Sequence, residues 1–190
     1  VFGEGIAILT GDALLTQAFE IAAQARGAVR YSNADIIREI TSTAGSLNLI
    51  AGQVADIEAS SKNLTLPQLR YIHERKTSAL LTCSVRLGGM SANCTATQLS
   101  ALTAFGNYVG LAFQVIDDIL DVTRTTKQLG KTAGKDLRAS KATYPAIVGL
   151  EKSKNIAKQL TDKSFAALKL FKGKAKALKA IAQYLLKRKN

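Results

Sequence analysis

The chain has 190 residues, 47% of them apolar, which allows one domain with a sizeable core and excludes a disordered polymer. The net charge is +12, and most of it lies near the C-terminus, where residues 151–190 hold 12 basic and 2 acidic side chains. No apolar run of 18 residues and no signal peptide is present, and Cys83 and Cys94 lack metal-like spacing. We therefore expect one domain over residues 1–190, in a reducing compartment and without a membrane span.

The apolar periodicity is helical along the whole chain, and no stretch alternates with the period of a β-strand. We predict an all-α domain, in which Pro67 and Pro145 stand where helices begin. Thr65 with Gln68 three residues later forms a capping box. The predicted helices cover residues 2–26, 34–62, 66–87, 96–123, 144–151, 153–170 and 173–188.

Three aspartates stand close together near the end of the fourth predicted helix, in the stretch FQVIDDILD. At 100° per residue, Asp117, Asp118 and Asp121 share a sector of about 100° with Gln114. The opposite side of this helix is apolar, so we expect a buried back and a narrow polar face. The apolar back is formed by Phe105, Val109, Ala112, Ile116 and Ile119.

The crowded carboxylates predict a metal site. Like charges at this spacing raise one another's pKa unless a cation joins them. Mg²⁺ in particular binds one or two carboxylates together with substrate phosphates. The simpler interpretation is a helix end whose acids pair with nearby lysines, but the apolar flanks and the shared face favour a metal.

The stretch that follows the aspartates supplies positive charge. Residues 124–143 form the only long irregular segment, and a loop of this length is usually functional or mobile. Lys131, Lys135 and Lys141 lie within 20 residues of Asp121, as expected if lysines hold a polyphosphate opposite a metal. We expect this loop to be poorly ordered without ligand, because its lysines then lack partners.

Polar pairs on two earlier helices fit the same cavity. Gln53 and Asp56 share one face of the second helix, with an ordinary interhelical hydrogen bond as the alternative interpretation. Lys76 and Thr77 lie on the third helix beside His73, the only histidine. We favour a packing role for His73 over a catalytic one.

The combination of these motifs resembles the trans-isoprenyl diphosphate (polyprenyl) synthases. The resemblance rests on FQVIDDILD, LGKTAGKD, KATYP, the Lys-Thr pair of IHERKT, and GQVAD. The opening VFGEGIAILTGDALLTQAFE is similar to the segment that follows the first aspartate-rich motif of that family. The short-chain type, which makes farnesyl or geranylgeranyl diphosphate in bacteria and plastids, is the most similar.

The resemblance implies a bundle of mostly antiparallel helices around a deep cavity, and a homodimer. It implies a Mg²⁺-dependent prenyltransferase, with Mn²⁺ as an alternative ion, that condenses an allylic diphosphate with isopentenyl diphosphate into a C15–C20 product. The implied metal ligands are Asp117, Asp118 and Asp121. The implied diphosphate-binding and catalytic groups are Lys76, Thr77, Gln114 and Lys131, with Lys141 also binding diphosphate. Gln53 is implied on the cavity wall, Phe113 near the isopentenyl site, and Asp136 as an orienting group.

The family's first aspartate-rich motif is absent from these 190 residues, as are its upstream isopentenyl-binding residues. We therefore expect a missing N-terminal part and little or no synthase activity from this chain alone. Two other functions stay open: a non-catalytic or regulatory synthase-like subunit, and a basic helical protein that binds nucleic acid or a membrane surface.

The basic C-terminal end favours a solvated helix face over a nucleic-acid site, since no aromatic interleaving or nucleic-acid motif accompanies it. We expect no nucleic-acid partner and at most a weak contact with an anionic membrane surface. The resemblance places the protein in the bacterial cytoplasm or the plastid stroma.

Overall fold

The computed structural model describes residues 2–59, 63–123 and 142–187, with side chains up to residue 186. This part of the chain is helical throughout and contains no β-strand, which confirms the predicted fold class. The helices are α1 Glu4–Gln24, α2 Asn33–Ala44, α3 Leu49–Glu58, α4 Leu66–His73, α5 Ala79–Ser91, α6 Ala96–Thr123, α7 Tyr144–Val148, α8 Leu150–Ala167 and α9 Lys176–Lys187.

Two predicted helices are divided in the structure. The span predicted over 34–62 ends at Gly45 and restarts at Leu49. Gly45 extends its backbone against the Thr41 carbonyl, where a Cβ would collide. The span predicted over 66–87 is interrupted by a π-helical turn at Glu74–Ser78, and α5 then continues to Ser91.

The remaining bounds follow the prediction closely. The fourth predicted helix, 96–123, has the observed bounds of α6. Thr65 forms the expected capping box with Gln68, whose Oε1 accepts the Thr65 N–H at 2.9 Å. The helix predicted over 153–170 begins earlier, at Leu150, and its last turn tightens into a 3₁₀ turn at Leu168–Phe171.

Helix α6 lies at the centre of the domain and packs against α5, the π turn, α7, α8 and α9. Three residues of its predicted apolar back, Phe105, Val109 and Ala112, are at most 4% exposed, whereas Ile116 and Ile119 are half-buried. Two apolar clusters surround it. One joins α6 to α4, α7 and α8 through Leu69, Leu111, Val115, Tyr144 and Leu160, and the other joins it to the C-terminal elements through Leu168 and Ala182.

Small residues set the distance of α6 from the π turn and from α5, which follows that turn. A Cβ at Gly110 would collide with Ser78, and one at Gly106 would press on Thr82. The close approach allows the Ser78 hydroxyl to donate to the Asn107 carbonyl oxygen at 3.1 Å. Helix α6 is therefore held close to the π turn and α5 over the two to three turns that precede the aspartates.

The lysines of α8 and of the segment up to residue 186 are all exposed, in agreement with the solvated face predicted for this end. Two helices, α1 and α6, are nevertheless long and apolar enough to cross a membrane by length and composition, with a mean hydropathy of 1.4 each. This differs from the expectation of no such segment. Scattered polar residues interrupt the apolar runs, yet the mean hydropathy over 18 residues stays high. Helix α6 is a core helix of the domain, whereas only 6% of the α1 window is buried.

Candidate active site

The three aspartates of α6 occupy different environments. Asp117 is half-buried, whereas Asp118 is 8% and Asp121 4% exposed. Asp118 Oδ2 accepts the backbone N–H of Tyr144 at 2.8 Å, so this carboxylate turns toward α7. Asp121 Oδ2 is buried and has no hydrogen-bond partner among the described residues.

The orphaned oxygen of Asp121 fits a cation. Buried polar atoms in folded proteins are nearly always paired, and those that are not call for a ligand, an ion or a water. No group of three or more His, Cys, Asp and Glu side chains is arranged to hold a metal within the described ranges. The aspartates therefore fit Mg²⁺ that is completed by phosphate oxygens and water better than a site made of protein alone.

The π turn carries two of the expected diphosphate-binding residues. Lys76 and Thr77 lie inside it, and the Thr77 hydroxyl donates to Gln114 Oε1 at 3.2 Å. The structure thus brings Thr77 to Gln114, which precedes Asp117 and Asp118 by one turn of α6 and Asp121 by two. Single π turns within helices occur frequently at functional sites. The sequence here predicts a continuous helix, because no residue type marks the position where a π turn inserts one additional residue.

Helix α3 docks on the π turn and pairs its acid with Lys76. Lys76 Nζ donates to Asp56 Oδ2 at 2.6 Å, and both side chains remain partly exposed. The approach depends on Gly52, because a Cβ there would collide with the Lys76 backbone. Gln53 and Asp56, predicted on one helix face, have different environments. Asp56 forms the ion pair with Lys76, whereas the side chain of Gln53 is exposed.

The other expected site residues lie beside or outside this cluster. Phe113 is half-buried and adjacent to Gln114 on α6. Residues 124–141, which include Lys131, Asp136 and Lys141, lie outside the described residues. The expectation that this loop is poorly ordered without ligand concerns the same residues. Their roles stay predictions.

His73 is a buried neutral side chain. It stacks on Tyr144 with ring centroids 5.6 Å apart, and its Nε2 is 4.0 Å from Asp118 Oδ1. Burial lowers the pKa of His73 to about 4, so the imidazole is uncharged near neutral pH. The geometry favours the packing role.

A cavity of about 1,040 Å³ lies along α5 and α6, and it borders the first two residues of the π turn, Glu74 and Arg75. Arg86 and Glu39 form a two-pronged ion pair on its wall, at 2.6 and 2.8 Å, and Arg86 also donates to Thr103 at 2.6 Å. The hydrogen bond to Glu39 raises the pKa of Arg86. The sequence does not predict this pair, since its members are 47 residues apart and belong to no motif. Neither the aspartates nor Lys76 and Thr77 border the cavity, so its size does not mark the chemical site.

These observations define an all-helical protein whose central helix presents acids beside a lysine- and threonine-bearing turn. The sequence matches the polyprenyl synthetase family over residues 1–184. The chain belongs to that family.

Named relatives agree with this membership. The chain is 44% identical to the heterodimeric geranylgeranyl pyrophosphate synthase large subunit 1, chloroplastic, of Arabidopsis thaliana, covering 100% of this chain and 53% of that protein. It is 42% identical to a dimethylallyltranstransferase of Fischerella ambigua, covering 99% of this chain and 55% of the relative. The chain thus spans about half the length of the curated relatives it matches.

Solved structures share the fold. A geranyltransferase from Helicobacter pylori, crystallised with magnesium and isoprenyl diphosphate, is 32% identical with a TM-score of 0.80, covering 97% of this chain and 60% of its own. Geranylgeranyl pyrophosphate synthetase from Pyrococcus horikoshii is 28% identical with a TM-score of 0.86, covering 98% of this chain and 68% of its own. The arrangement is the isoprenoid synthase fold, as the resemblance implied.

Proposed function

We propose that the whole protein is a Mg²⁺-dependent short-chain prenyltransferase that condenses an allylic diphosphate with isopentenyl diphosphate into a C15–C20 prenyl diphosphate. The observation that carries the proposal is the contact of the π turn with the acidic end of α6. Thr77 of this turn donates to Gln114, which precedes Asp117 by one turn and Asp121 by two, and Lys76 is its neighbour in the same turn.

The proposed roles follow from the charge that the reaction develops. When the allylic C–O bond breaks, the electron pair leaves with the diphosphate, so groups that neutralise that anion act mainly in the transition state. Bound Mg²⁺ would supply part of this neutralisation. Asp117 and Asp121 are the proposed carboxylates that hold the ion, and Lys76, Lys131 and Lys141 the proposed cations around the phosphates.

Thr77 and Gln114 orient the leaving group in this proposal. The Thr77 hydroxyl donates to Gln114 Oε1 at 3.2 Å; a hydroxyl can rotate to a phosphate oxygen instead, and the amide donors of Gln114 are not used in this bond. Lys76 is held by Asp56 at 2.6 Å, so its ammonium group stays near the site before the diphosphate arrives.

The allylic cation must be protected from water until the double bond of isopentenyl diphosphate attacks it and a proton is lost. Phe113 is proposed near the isopentenyl site, where an aromatic ring excludes water. Gln53, exposed on α3, is proposed on the cavity wall. These 190 residues alone are proposed to have little or no activity, since the described part contributes acids from a single wall.

Assembly and location follow the resemblance. We propose a homodimer, for which the apolar side chains exposed around α1 offer a surface. The proposed location is the bacterial cytoplasm or the plastid stroma, with no nucleic-acid partner and at most a weak contact between the basic C-terminal end and a membrane surface.

The test is a diphosphate-release assay on the full-length gene product with Mg²⁺, isopentenyl diphosphate and allylic diphosphates of five to fifteen carbons. We expect release that requires both substrates, together with a C15 or C20 product identified by mass spectrometry. A folded protein that releases no diphosphate with any of these substrates would contradict the proposal. Activation of a separate synthase by that inactive protein would instead indicate a regulatory subunit.

A further inference from the structure

A cavity of about 450 Å³, here called the C-terminal cavity, lies between α5, the turn that joins α5 to α6, and residues 171–178. It shares no lining residue with the larger cavity beside Arg86. Leu102 on its wall precedes Asp117 by four turns of α6, which is about 22 Å at 1.5 Å per residue. The C-terminal cavity is therefore separate from the acidic end of α6.

The inner wall of the C-terminal cavity is apolar and is fixed by packing. Val85, Phe171 and Leu178 line it, and they also pack against the apolar cluster that joins α6 to the C-terminal elements. One side is open, because Gly88 is exposed on the wall and a Cβ built there meets nothing within 4 Å. The volume lies within the range of small-molecule sites, about 300–1,000 Å³. The cavity thus offers a preformed surface to an apolar group.

The rim of the C-terminal cavity is positively charged. Lys174 lines the cavity, and its backbone N–H donates to the carbonyl oxygen three residues earlier at 2.9 Å, which fixes the turn that carries it. Lys172 and Lys176 lie on either side of it in sequence, and all three lysines are exposed. The walls come from two stretches without any Asp or Glu, residues 75–116 and 163–190. The walls themselves therefore do not neutralise the rim, and this charge favours an anionic group.

We propose that the C-terminal cavity binds an amphiphile, with the apolar chain between α5 and residues 171–178 and the anionic head on the lysines around Lys174. Lysine provides a compact charge on a flexible stem, which suits a head group at a rim. A prenyl diphosphate and a fatty acid share this chemistry. The site goes beyond the proposed function and does not depend on it, because it lies away from the aspartates and requires no Mg²⁺.

The test is a calorimetric titration of the full-length protein with decyl phosphate, in EDTA and below the concentration at which the probe forms micelles. Decanol supplies the chain without the charge, and inorganic phosphate supplies the charge without the chain. We expect decyl phosphate to bind at least about tenfold more tightly than either, since the head and the chain both contribute. Equal binding of decyl phosphate and decanol would overturn the proposal, and so would the absence of decyl phosphate binding.

Two substitutions locate the binding. Gly88→Leu fills the open side of the cavity and Lys174→Ala removes a charge from its rim, so each should weaken decyl phosphate binding at least about tenfold. Lys169→Ala is the matched control and should leave binding unchanged, because Lys169 is exposed in the same segment but does not line the cavity. Unchanged binding in either folded variant would overturn the proposal, as would an equal loss in the control. If Gly88→Leu does not fold, Lys174→Ala decides, since its position is exposed.

A third variant, Lys76→Ala, distinguishes the C-terminal cavity from the proposed active site. Loss of decyl phosphate binding in this variant would show that the probe occupies the acidic end of α6, and it would overturn the proposal. Failure of the proposed function appears separately, as the absence of diphosphate release. Titrations with farnesyl diphosphate and with laurate, again in EDTA, identify the natural class of ligand as the one that binds more tightly and loses affinity in Lys174→Ala.

Discussion

Helices α1 and α6 have the same mean hydropathy of 1.4, yet 6% of the α1 window and 44% of the α6 window are buried. Both helices contain glycines, and the difference lies in what faces them. Gly106 and Gly110 of α6 touch Thr82 and Ser78, whereas nothing lies within 4 Å of a Cβ built on Gly11 of α1. Apolar composition makes a helix able to enter a core, but close backbone approach and facing partners decide whether it does so.

The same contrast explains why the polar residues of α6 acquire roles. Helix α6 is surrounded by α4, α5, α7 and α8, and these neighbours supply hydrogen-bond partners: Asp118 accepts from Tyr144, and Gln114 accepts from Thr77 of the π turn. The buried Oδ2 of Asp121 is the exception that calls for an ion. Helix α1 has no such enclosure within the described structure, and its apolar side chains remain exposed. The predictions below test each side of this comparison.

The largest expected effect concerns His73, which packs beside α6. Its pKa falls from 6.5 to about 4 on folding because burial disfavours the charged ring. Between those two pH values the unfolded chain binds a proton that the folded chain does not. The free energy of unfolding therefore has its full value above pH 6.5 and decreases as the pH falls toward 4. We expect a loss of about 3 kcal/mol over that range.

Urea unfolding at pH 7.5, 6, 5 and 4.5 measures this loss, with His73→Phe as the control that keeps a ring against Tyr144. The variant should lose less stability than the unsubstituted protein as the pH falls. Identical pH dependence in both proteins would show that His73 is not kept neutral by burial.

The second effect concerns Lys76 of the π turn, which faces the polar side of α6. In the full-length protein, Lys76→Ala should lower kcat/KM for the allylic diphosphate ten- to a hundredfold, since one charged contact contributes about 1.5–3 kcal/mol. Lys154→Ala is the matched control, because Lys154 also forms an ion pair, with Glu151 at 2.7 Å, but on the exposed surface of α8. Equal losses in the two variants would point to general positive charge instead of a defined site.

The third effect tests the small residues directly. Gly110→Ala should lower the free energy of unfolding by about 1–3 kcal/mol, because the new Cβ meets Ser78. Gly11→Ala in α1 should raise it by about 0.5–1 kcal/mol, since the site is open and alanine favours a helix. Urea unfolding at neutral pH measures the free energy of unfolding of both variants. Similar changes for the two would contradict the idea that close contacts at the glycines of α6 determine its burial.

The smallest effect on stability is expected on the exposed side of α1. Leu14→Ser with Ile21→Ser, at positions 66% and 61% exposed, should change the free energy of unfolding by no more than about 0.5 kcal/mol per substitution. If α1 forms the surface of a homodimer, analytical ultracentrifugation of the full-length variant should show monomers. A variant that stays dimeric would exclude α1 as the interface, and one that unfolds would show that α1 packs within its own chain.

The sequence by itself determined the helical class, the bounds of α6, the capping box at Thr65 and the burial of the apolar back of α6. These features depend on local periodicity and on contacts a few residues apart, which a sequence displays directly. The grouping of Gln114 with the aspartates on one helix follows from the same 3.6-residue period.

Tertiary structure alone decided the π turn at Lys76 and Thr77, the break at Gly45, the ion pair of Arg86 with Glu39, and the turn of Asp118 toward Tyr144. Each of these arises where two distant segments meet: Gly52 admits the Lys76 backbone, and the Tyr144 N–H needs an acceptor 26 residues away. Helical periodicity places three aspartates on one side of α6, but it carries no information about which neighbour each carboxylate meets. That choice depends on the unpaired donors and small residues of the facing elements, so only the folded chain distinguishes Asp118 from Asp117.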